Sequence, residues 1–170
     1  AKPPRADLRR EIVVTRIGEI ETAIARIVSA AKAGAAVAWI RNTVDDAIAA
    51  QSLLREAGVE AGLFHARFAF GDRYAIEDEV VRRFGKQSAV EDRRGRVLVA
   101  TQVVEQSLDL DFDLVVSVLA PIDLLLQRAG RLWRHPGRQR PIAGPELAIL
   151  SPDPHGPAVA ADWVKALLPG

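Results

Sequence analysis

The sequence predicts an α/β domain whose sheet is mainly parallel and whose helices cover both faces. Two short, continuously apolar runs, AVAWIR at 36–41 and RVLVAT at 96–101, are typical of strands buried in a parallel sheet. Amphipathic segments with helical spacing separate several of these runs, so strands and helices alternate along much of the chain. With 170 residues, the chain is long enough for one domain with a substantial core.

The first half of the chain alternates strand and helix three times. Its predicted elements are a strand at 11–17, a helix from 19 to 34, a strand at 36–41, a helix from 43 to 58, a strand at 60–65 and a helix from 72 to 85. Thr43 has the side chain of an N-cap, and Asp45 and Asp46 suit the first turn of the helix that follows it. Glycines at 34, 58 and 85 predict where the three helices end.

The second half contains the clearest strand, at 96–101. The other predicted elements are a polar loop at 86–96, strands at 113–119 and 147–150, a helix that starts at Pro121, a loop at 135–145 and a final helix at 159–168. Proline suits a helix start because its nitrogen needs no hydrogen bond there. We expect residues 1–170 to form one domain, with residues 151–170 holding the start of a following linker or accessory region.

Composition narrows the kind of protein. The chain has no cysteine, which excludes disulfides and thiolate metal sites, and its three histidines lack ligand spacing, so we expect no metal site. No apolar run is long enough to cross a membrane and no signal peptide is visible, which suits a cytoplasmic protein with no membrane partner. Because the chain lacks methionine and starts at Ala1, we expect it to be a piece of a longer protein.

Charge is distributed unevenly in the second half. Of 23 basic residues 19 are arginines, a bias that the codon usage of a high-GC genome also explains. Residues 128–140 hold five arginines and no acidic residue, and an acidic cluster lies directly upstream, consisting of Glu105, Asp109, Asp111 and Asp113. Two adjacent zones of opposite charge indicate a site. The alternating aspartates also suit a metal site, which is the less favoured interpretation.

Polar side chains follow three of the predicted strands, at the point where each strand ends. They are Asn42 and Thr43, His65 and Arg67, and Thr101 with Gln102. Ligands of parallel α/β sheets bind beyond the carboxyl ends of the strands, so the joint placement favours a binding site. Taken alone, each residue is better explained as a loop residue or a helix cap.

The segment LLLQRAGRLWRH, at 124–135, predicts an amphipathic helix with an arginine-rich face. At helical spacing, Gln127, Arg128, Arg131 and Arg134 share one face, while most of the leucines lie opposite. Gly130 leaves room beside that face for a backbone or a ligand. Arginine suits negative charge that develops on a transferring phosphoryl group, although a solvated basic face remains the alternative.

The run VLVATQVVEQSLDLDFDLVVSVLAPIDLLLQRAGRLWRH resembles the C-terminal half of a superfamily 2 helicase motor. TQVVEQSLDLDFD is similar to motif V and QRAGRLWR to motif VI, in the right order and at the right separation. Within these motifs, the residues VEQSLD and PIDLLLQRAGRL are most similar to the CRISPR-associated helicase-nuclease of type I systems. The resemblance covers roughly residues 35–150. It implies a RecA-like, three-layer domain, the second of a 3′-to-5′ motor.

The resemblance also implies an ATP site. Arg131 and Arg134 would be arginine fingers that reach the γ-phosphate, and Asp109 would contact the ribose, with Ser107 beside it. The residues implied to support that site or to couple it to the nucleic acid are Gln127, Arg128 and Gly130. The chain departs from many relatives outside the CRISPR group at Ser107, where glycine is common, and at Trp133, where a small or polar residue is common.

A second implied site is a track for single-stranded DNA. The residues that would hold its phosphate backbone are Asn42, Thr43, His65, Arg67 and Thr101. Hydroxyl, amide and arginine donors suit backbone contacts, and no interleaved aromatic platform for base recognition is visible.

The chain contains no G-x-x-x-x-G-K-[ST] loop and no D-E-x-H run, so ATP and Mg²⁺ would be bound mainly by a preceding RecA-like domain. The other partners that the resemblance implies are an HD-type nuclease domain and an RNA-guided surveillance complex. We expect the isolated chain not to hydrolyse ATP. Two alternatives remain open, namely the C-terminal domain of an RNA helicase and a binding module that is not catalytic.

Overall fold

The computed structural model describes residues 10–68, 70–105 and 108–153. Six strands form one sheet in the order β1-β6-β5-β2-β4-β3, and every neighbouring pair is parallel. The strands are β1 (Val13–Ile17), β2 (Val37–Ile40), β3 (Ala61–Phe64), β4 (Val97–Ala100), β5 (Leu114–Val118) and β6 (Glu146–Leu150). Each lies within or close to the run predicted for it.

Five helices and a short 3₁₀ turn connect the strands. The helices are α1 (Ile20–Lys32), α2 (Val44–Glu56), α3 (Phe70–Phe84), α4 (Val90–Arg93) and α5 (Ile122–Ala129), and the 3₁₀ turn is Gln102–Glu105. Thr43 is the N-cap of α2 as predicted, because its hydroxyl accepts a hydrogen bond from the amide of Asp46 at 3.1 Å. The predicted helix at 159–168 and Ser107 lie outside the described residues.

The core consists of two apolar clusters, one on each face of the sheet. Trp39 and Val116 face α1 and α2, whereas Ala38 and Val115, their neighbours along the same strands, face α3. This alternation follows from the period of two along a strand, and because both faces are covered the central strands are apolar throughout. The predicted α/β architecture with helices on both faces is confirmed. None of the described helices is long and apolar enough to cross a membrane.

Helix α4 lies where the sequence predicts only a polar loop. The segment has no apolar periodicity, so nothing in the local sequence separates a helix from a loop. Asp92 accepts a hydrogen bond from the amide of Ala89 at 3.3 Å, which fixes the first turn, and Arg93 is buried against Asp111. A tertiary ion pair therefore stabilises this turn of helix.

Helix α5 is shorter than predicted. It ends at Ala129, and the chain then tightens into turns in which the amides of Arg131 and Leu132 bond three residues back. Leu132 forms a parallel bridge with Phe112, and Trp133 has a positive φ of 45°. Because pairing with residues 111–113 replaces the helical hydrogen bonds, the prediction of one continuous arginine-bearing helix is wrong.

Candidate functional site

The polar residues predicted at the strand ends lie along one edge of the sheet. Strands β2, β4 and β3 are neighbours, and their carboxyl ends meet: the amide of Arg41 bonds Ala100 at 2.8 Å and the amide of Thr101 bonds Phe64 at 3.2 Å. We call the predicted residues at this edge the carboxyl-end set, which comprises Asn42, Thr43, His65, Arg67 and Thr101. The structure therefore places these five residues at the same edge of the sheet, where the sequence analysis expected them.

Within the carboxyl-end set, Arg67 is the exposed cation. Its guanidinium pairs with Asp45 at 3.0 Å, and both side chains are mostly solvent-accessible. An exposed ion pair of this kind is weak and easily exchanged. Arg67 is therefore available to a phosphate, whereas Thr101 is buried and Thr43 is occupied in capping α2.

His65 fixes the loop that carries Arg67. Its Nδ1 accepts a hydrogen bond from the amide of Arg67 at 3.2 Å, and its ring stacks on Phe68 with the centroids 3.9 Å apart. Burial is the main cause that lowers the pKa of His65, so the ring is neutral at pH 7. His65 can orient its neighbours or donate a hydrogen bond, but it does not add positive charge.

Arg41 is a residue at this edge that the sequence analysis missed. Its guanidinium lies over Trp39, 5.5 Å from the ring centroid, and 3.9 Å from Asp46. Two of its nitrogens, Nε and Nη1, are buried without a hydrogen-bond partner among the described residues, and burial lowers its pKa. The available signal was an arginine placed directly between a buried strand and Asn42.

Arg128 is fully buried rather than exposed. Its Nε pairs with Glu105 at 2.6 Å and its Nη1 donates to the hydroxyl of Ser117 at 2.8 Å. The helical-wheel prediction fails here because acceptors from β5 and from the turn after β4 meet this face of α5. On the predicted anchoring face, Leu125 and Leu132 are buried as expected, whereas Leu126 is 66% exposed. Of the supporting residues, Gln127 is exposed as predicted.

Arg131 and Arg134 lie in the segment that follows α5, which we call the arginine segment (131–134). The guanidinium of Arg131 donates to the carbonyl oxygens of Glu105, at 2.9 Å, and Leu108. Burial and then the positive charge of Arg134 lower the pKa of Arg131. Arg134 is partly exposed, and its Nε bonds the carboxylate of Asp109. Arg131 and Arg134 thus carry like charges three residues apart on the same segment.

Asp109 is the acidic partner of the arginine segment. Its partial burial tends to raise its pKa, but the hydrogen bond from Arg134, followed by the charges of His135 and Arg134, brings the pKa below its ordinary value. The carboxylate is therefore ionised at neutral pH, with His135 Nε2 3.6 Å from its second oxygen. About half of this side chain is exposed, so a ligand hydroxyl could replace Arg134 as its partner.

Gly130 has a local role in the turn. A Cβ at this position would lie 3.1 Å from the carbonyl oxygen of Gln127, in the preceding turn. The close approach that the sequence predicts is therefore made by the helix itself.

The carboxyl-end set and the arginine segment lie at opposite ends of the strands. The arginine segment pairs with residue 112, which precedes β5, whereas the carboxyl-end set follows β2, β3 and β4. Arg128 and Glu105 link the two regions through α5 and the 3₁₀ turn. The geometry therefore places the two groups of candidate residues at separate ends of the sheet.

The aspartates that also suited a metal ion are matched by arginines. Asp111 pairs with Arg93 at 3.0 Å, and Asp113 pairs with Arg140 at 2.8 Å. Among the described residues, no group of three or more histidine or acidic side chains has the arrangement to hold a metal ion. The structure thus gives these carboxylates a different function, which is to hold guanidinium groups.

The chain is similar in sequence to known proteins. A family model described as CRISPR-associated nuclease/helicase Cas3, C-terminal, matches residues 33–137. The chain is 45% identical over 160 residues to the CRISPR-associated endonuclease/helicase Cas3 of Escherichia coli K12, a match that covers 91% of the chain and 18% of that protein.

Solved structures are similar in the same way. The crystal structure of T. fusca Cas3-AMPPNP superposes with a TM-score of 0.81 and 37% identity, over 97% of the chain and 21% of that protein. A chain of a CRISPR RNA-guided surveillance complex, pre-nicking, gives a TM-score of 0.75 and 37% identity over 92% and 21%. The chain spans about a fifth of the length of these relatives, and the shared fold confirms the RecA-like prediction.

Proposed function

The chain belongs to the C-terminal family of the CRISPR-associated nuclease/helicase Cas3, as its motifs V and VI predicted, and on that basis we propose that it is half of an ATP-dependent single-stranded DNA translocase acting in CRISPR interference. It would provide one wall of an ATP cleft and part of a DNA track. A preceding RecA-like domain would provide the other wall, including the phosphate-binding loop and most of the contacts to ATP and Mg²⁺.

The observation that carries the proposal is the arrangement of Arg131 and Arg134. The two arginines lie three residues apart on a short segment, where the guanidinium of Arg134 bonds the ionised carboxylate of Asp109 and that of Arg131 bonds the carbonyl oxygen of the neighbouring Leu108. Arginine pairs of this kind can contact phosphate oxygens at fixed geometry, and charge that develops in phosphoryl transfer is stabilised by such donors. The sequence contains no G-x-x-x-x-G-K-[ST] phosphate-binding loop, so another domain would supply the loop that holds the triphosphate.

The remaining ATP-site candidates would act at different distances from the nucleotide. Asp109 would accept hydrogen bonds from the ribose hydroxyls, with Ser107 beside it. Arg128 would act only through other residues, because it is buried against Glu105, whose carbonyl oxygen in turn holds Arg131. Gln127 is exposed next to it and could contact the partner domain directly.

The carboxyl-end set would form the track for single-stranded DNA. Arg67 would supply an exposed donor at this edge of the sheet, and His65 holds the Arg67 loop. The amide of Asn42 donates to Leu119, the hydroxyl of Thr43 caps α2 and Thr101 is buried, so contacts of these three to DNA would require a local rearrangement. These groups suit phosphate and sugar contacts without base recognition, so the track would accept any sequence. Closure of the two domains around ATP and their reopening would move the strand along the track.

The proposed partners follow from the relatives. The similarity to a chain of a CRISPR RNA-guided surveillance complex supports recruitment by such a complex. The relatives are endonuclease/helicases, which supports a nuclease domain elsewhere in the full-length protein, and the resemblance implies that it is of the HD type.

The arginine fingers can be tested by steady-state ATP hydrolysis in the full-length protein with single-stranded DNA present. We expect Arg131→Ala or Arg134→Ala to lower kcat by roughly 10³-fold or more, because a finger acts mainly in the transition state. Arg55→Ala, which removes an exposed arginine from α2, is the matched control and should leave kcat unchanged. Normal kcat in both finger variants would overturn the proposal.

The proposed DNA track can be tested by measuring how the affinity for single-stranded DNA depends on salt concentration. We expect Arg67→Ala to weaken binding of a fluorescent single-stranded DNA and to reduce the slope of log K against log salt by about 0.7, the value for one lost phosphate contact. Arg55→Ala again serves as the control. A clear preference for single-stranded RNA of the same sequence would instead favour the RNA helicase alternative.

A further inference from the structure

The backbone of the arginine segment has an unusual conformation. Trp133 is the only non-glycine residue with positive φ in the described part of the chain, at 45°. A large side chain is disfavoured in this left-handed region, so surrounding contacts must hold it there. The conformation matters because Trp133 directly precedes Arg134.

Backbone hydrogen bonds hold the arginine segment from one side. The amide of Phe112 donates to Arg131 at 2.8 Å, and the amide of Trp133 donates to Phe112 at 2.9 Å. The guanidinium of Arg10 also donates to the carbonyl oxygens of Gly130, at 3.1 Å, and Trp133, at 3.3 Å. The segment is thus paired with the chain that leads into β5.

Asp111 adds a contact to the finger itself. Its Oδ1 accepts a hydrogen bond from the amide of Arg134 at 2.9 Å, directly after the left-handed residue. Asp111 has no exposed surface, and its side chain belongs to a buried ionic cluster that we define as Asp111, Asp113, Arg93, Arg138 and Arg140. The carboxylate of Asp111 therefore has a fixed position.

The ionic cluster also holds Trp133. Arg140 pairs with Asp111 at 2.9 Å, donates to the carbonyl oxygen of His135 at 3.0 Å and lies over the ring of Trp133, 5.4 Å from its centroid. Arg93, at 3.0 Å, and Arg138, at 3.2 Å, pair with the same oxygen of Asp111. Three guanidinium groups thus fix the carboxylate that bonds the amide of Arg134.

We propose that Asp111, through its hydrogen bond to the Arg134 amide and with Arg140 stacked on Trp133, is the positioning residue that sets the arginine segment for phosphate contact. The inference rests on the proposed function, because it concerns how the same arginines are aimed. Asp111 does not neutralise the Arg134 side chain. That side chain bonds Asp109 at the surface, where its partner can be exchanged, while its backbone stays fixed.

Asp113 provides a matched control. It is as buried as Asp111 and shares Arg93 and Arg140 with it, at 3.4 and 2.8 Å. Its Oδ2 also accepts a hydrogen bond from the amide of Ala36, before β2, at 2.7 Å, whereas the corresponding backbone bond of Asp111 comes from the arginine segment. Loss of the charge at 113 therefore disturbs the ionic cluster without removing the fixed charge beside Arg134.

The first experiment compares Asp111→Asn and Asp113→Asn in the full-length protein by DNA-stimulated ATP hydrolysis. We expect Asp111→Asn to lower kcat by about 10²-fold, since a displacement near 1 Å has that effect, while KM for ATP changes little. Asp113→Asn should change kcat by less than about threefold at a comparable loss of melting temperature. Equal kcat in the two variants would overturn the inference.

A second pair of variants decides the matter if Asp111→Asn does not fold. Trp133→Gly and Trp133→Ala both remove the ring, but only glycine adopts a left-handed backbone without penalty. We expect Trp133→Gly to keep a kcat about tenfold above that of Trp133→Ala. The same kcat in both would contradict the inference.

Arg134→Ala separates the two hypotheses. If it abolishes hydrolysis while Asp111→Asn and both Trp133 variants keep wild-type kcat, only the positioning role of Asp111 is wrong. If Arg131→Ala and Arg134→Ala both leave kcat unchanged, the proposed function fails and the inference fails with it.

Discussion

Arg128 shows how burial changes the function of an arginine within one motif. Its guanidinium has no exposed surface and is held by Glu105 and Ser117. Two other arginines of the same motif, Arg131 and Arg134, retain exposed surface. Arg128 therefore acts as a structural tie between α5, β5 and the turn after β4, and its effect on catalysis would be indirect.

We predict that Arg128→Ala lowers the free energy of unfolding of the chain by about 3–5 kcal/mol, because it leaves the buried carboxylate of Glu105 without its partner. The measurement is equilibrium unfolding in urea. Gln127→Ala, at the exposed neighbouring position, should change the free energy by less than about 0.5 kcal/mol. A small effect of Arg128→Ala would mean that Glu105 finds another partner.

At the scale of elements, the turn between α4 and β4 depends on Gly95. Its φ is +66°, and a Cβ there would lie 2.9 Å from the carbonyl oxygen of Ala31 in α1. Gly58, at the end of α2, also has positive φ (+79°) but open space around it. The two glycines differ only in whether another element packs against them.

Gly95→Ala should therefore destabilise the chain more than Gly58→Ala. We expect about 1–2 kcal/mol for Gly58→Ala, which is the left-handed penalty alone, and more for Gly95→Ala because a backbone clash is added. Thermal unfolding of the two variants measures the difference. Equal melting temperatures would show that α1 moves away at no cost.

Helix α3 contains an ion-pair group that makes stability depend on pH. Two nitrogens of Arg82 contact Glu79 at 2.8 and 2.9 Å, and Arg83 pairs with the same carboxylate. The hydrogen bond from Arg82 is the largest cause that lowers the pKa of Glu79 to about 2, opposed by slight burial and assisted by Arg83. Because the folded pKa lies below the ordinary 4.5, this contribution is present above pH 4.5 and is lost as pH falls towards 2.

Glu79→Gln should consequently destabilise the chain at pH 6 and have little effect near pH 2. The side chains are partly exposed, so the effect should be small and should shrink further in 1 M salt. Urea unfolding of both proteins across this pH range measures it. A difference between the two proteins that is constant with pH would rule out the ion pair as its cause.

At the scale of the whole chain, the sequence carries the candidate arginine fingers but no G-x-x-x-x-G-K-[ST] phosphate-binding loop. The chain carries the arginine segment at one end of its strands and the carboxyl-end set at the other. A nucleotide bound only by the arginine segment would have protein contacts on one side of its phosphates and solvent on the other. In the proposed function, the sheet and the Arg128–Glu105 pair would couple binding of single-stranded DNA to hydrolysis of ATP.

The purified 170-residue chain should bind single-stranded DNA but show no ATP hydrolysis above background. Adding DNA should not change this, because in the proposed function the phosphate-binding loop would belong to another domain. The measurement is phosphate release at saturating ATP. Robust hydrolysis that Arg131→Ala abolishes would show that the chain forms a complete site.

The sequence by itself determined the fold class and the location of the residues proposed to contact single-stranded DNA. Continuous apolar runs identify buried parallel strands, and Thr43 identifies the start of α2, because both signals lie within a few neighbouring residues. Parallel strands also end at a common edge, so the grouping of Asn42, His65 and Thr101 follows once the strands are placed.

Only the tertiary structure decided which charged residues are buried and how the arginine segment is shaped. The partners of Arg93, Arg128 and Arg140 lie 18, 23 and 27 residues away. Helical periodicity describes contacts within about four residues and assumes that the helix continues, so it placed Arg128 at the surface and extended α5 to Arg134. Pairing with residue 112 and the ionic cluster ended that helix, because burial leaves each charge dependent on partners that are distant in the sequence.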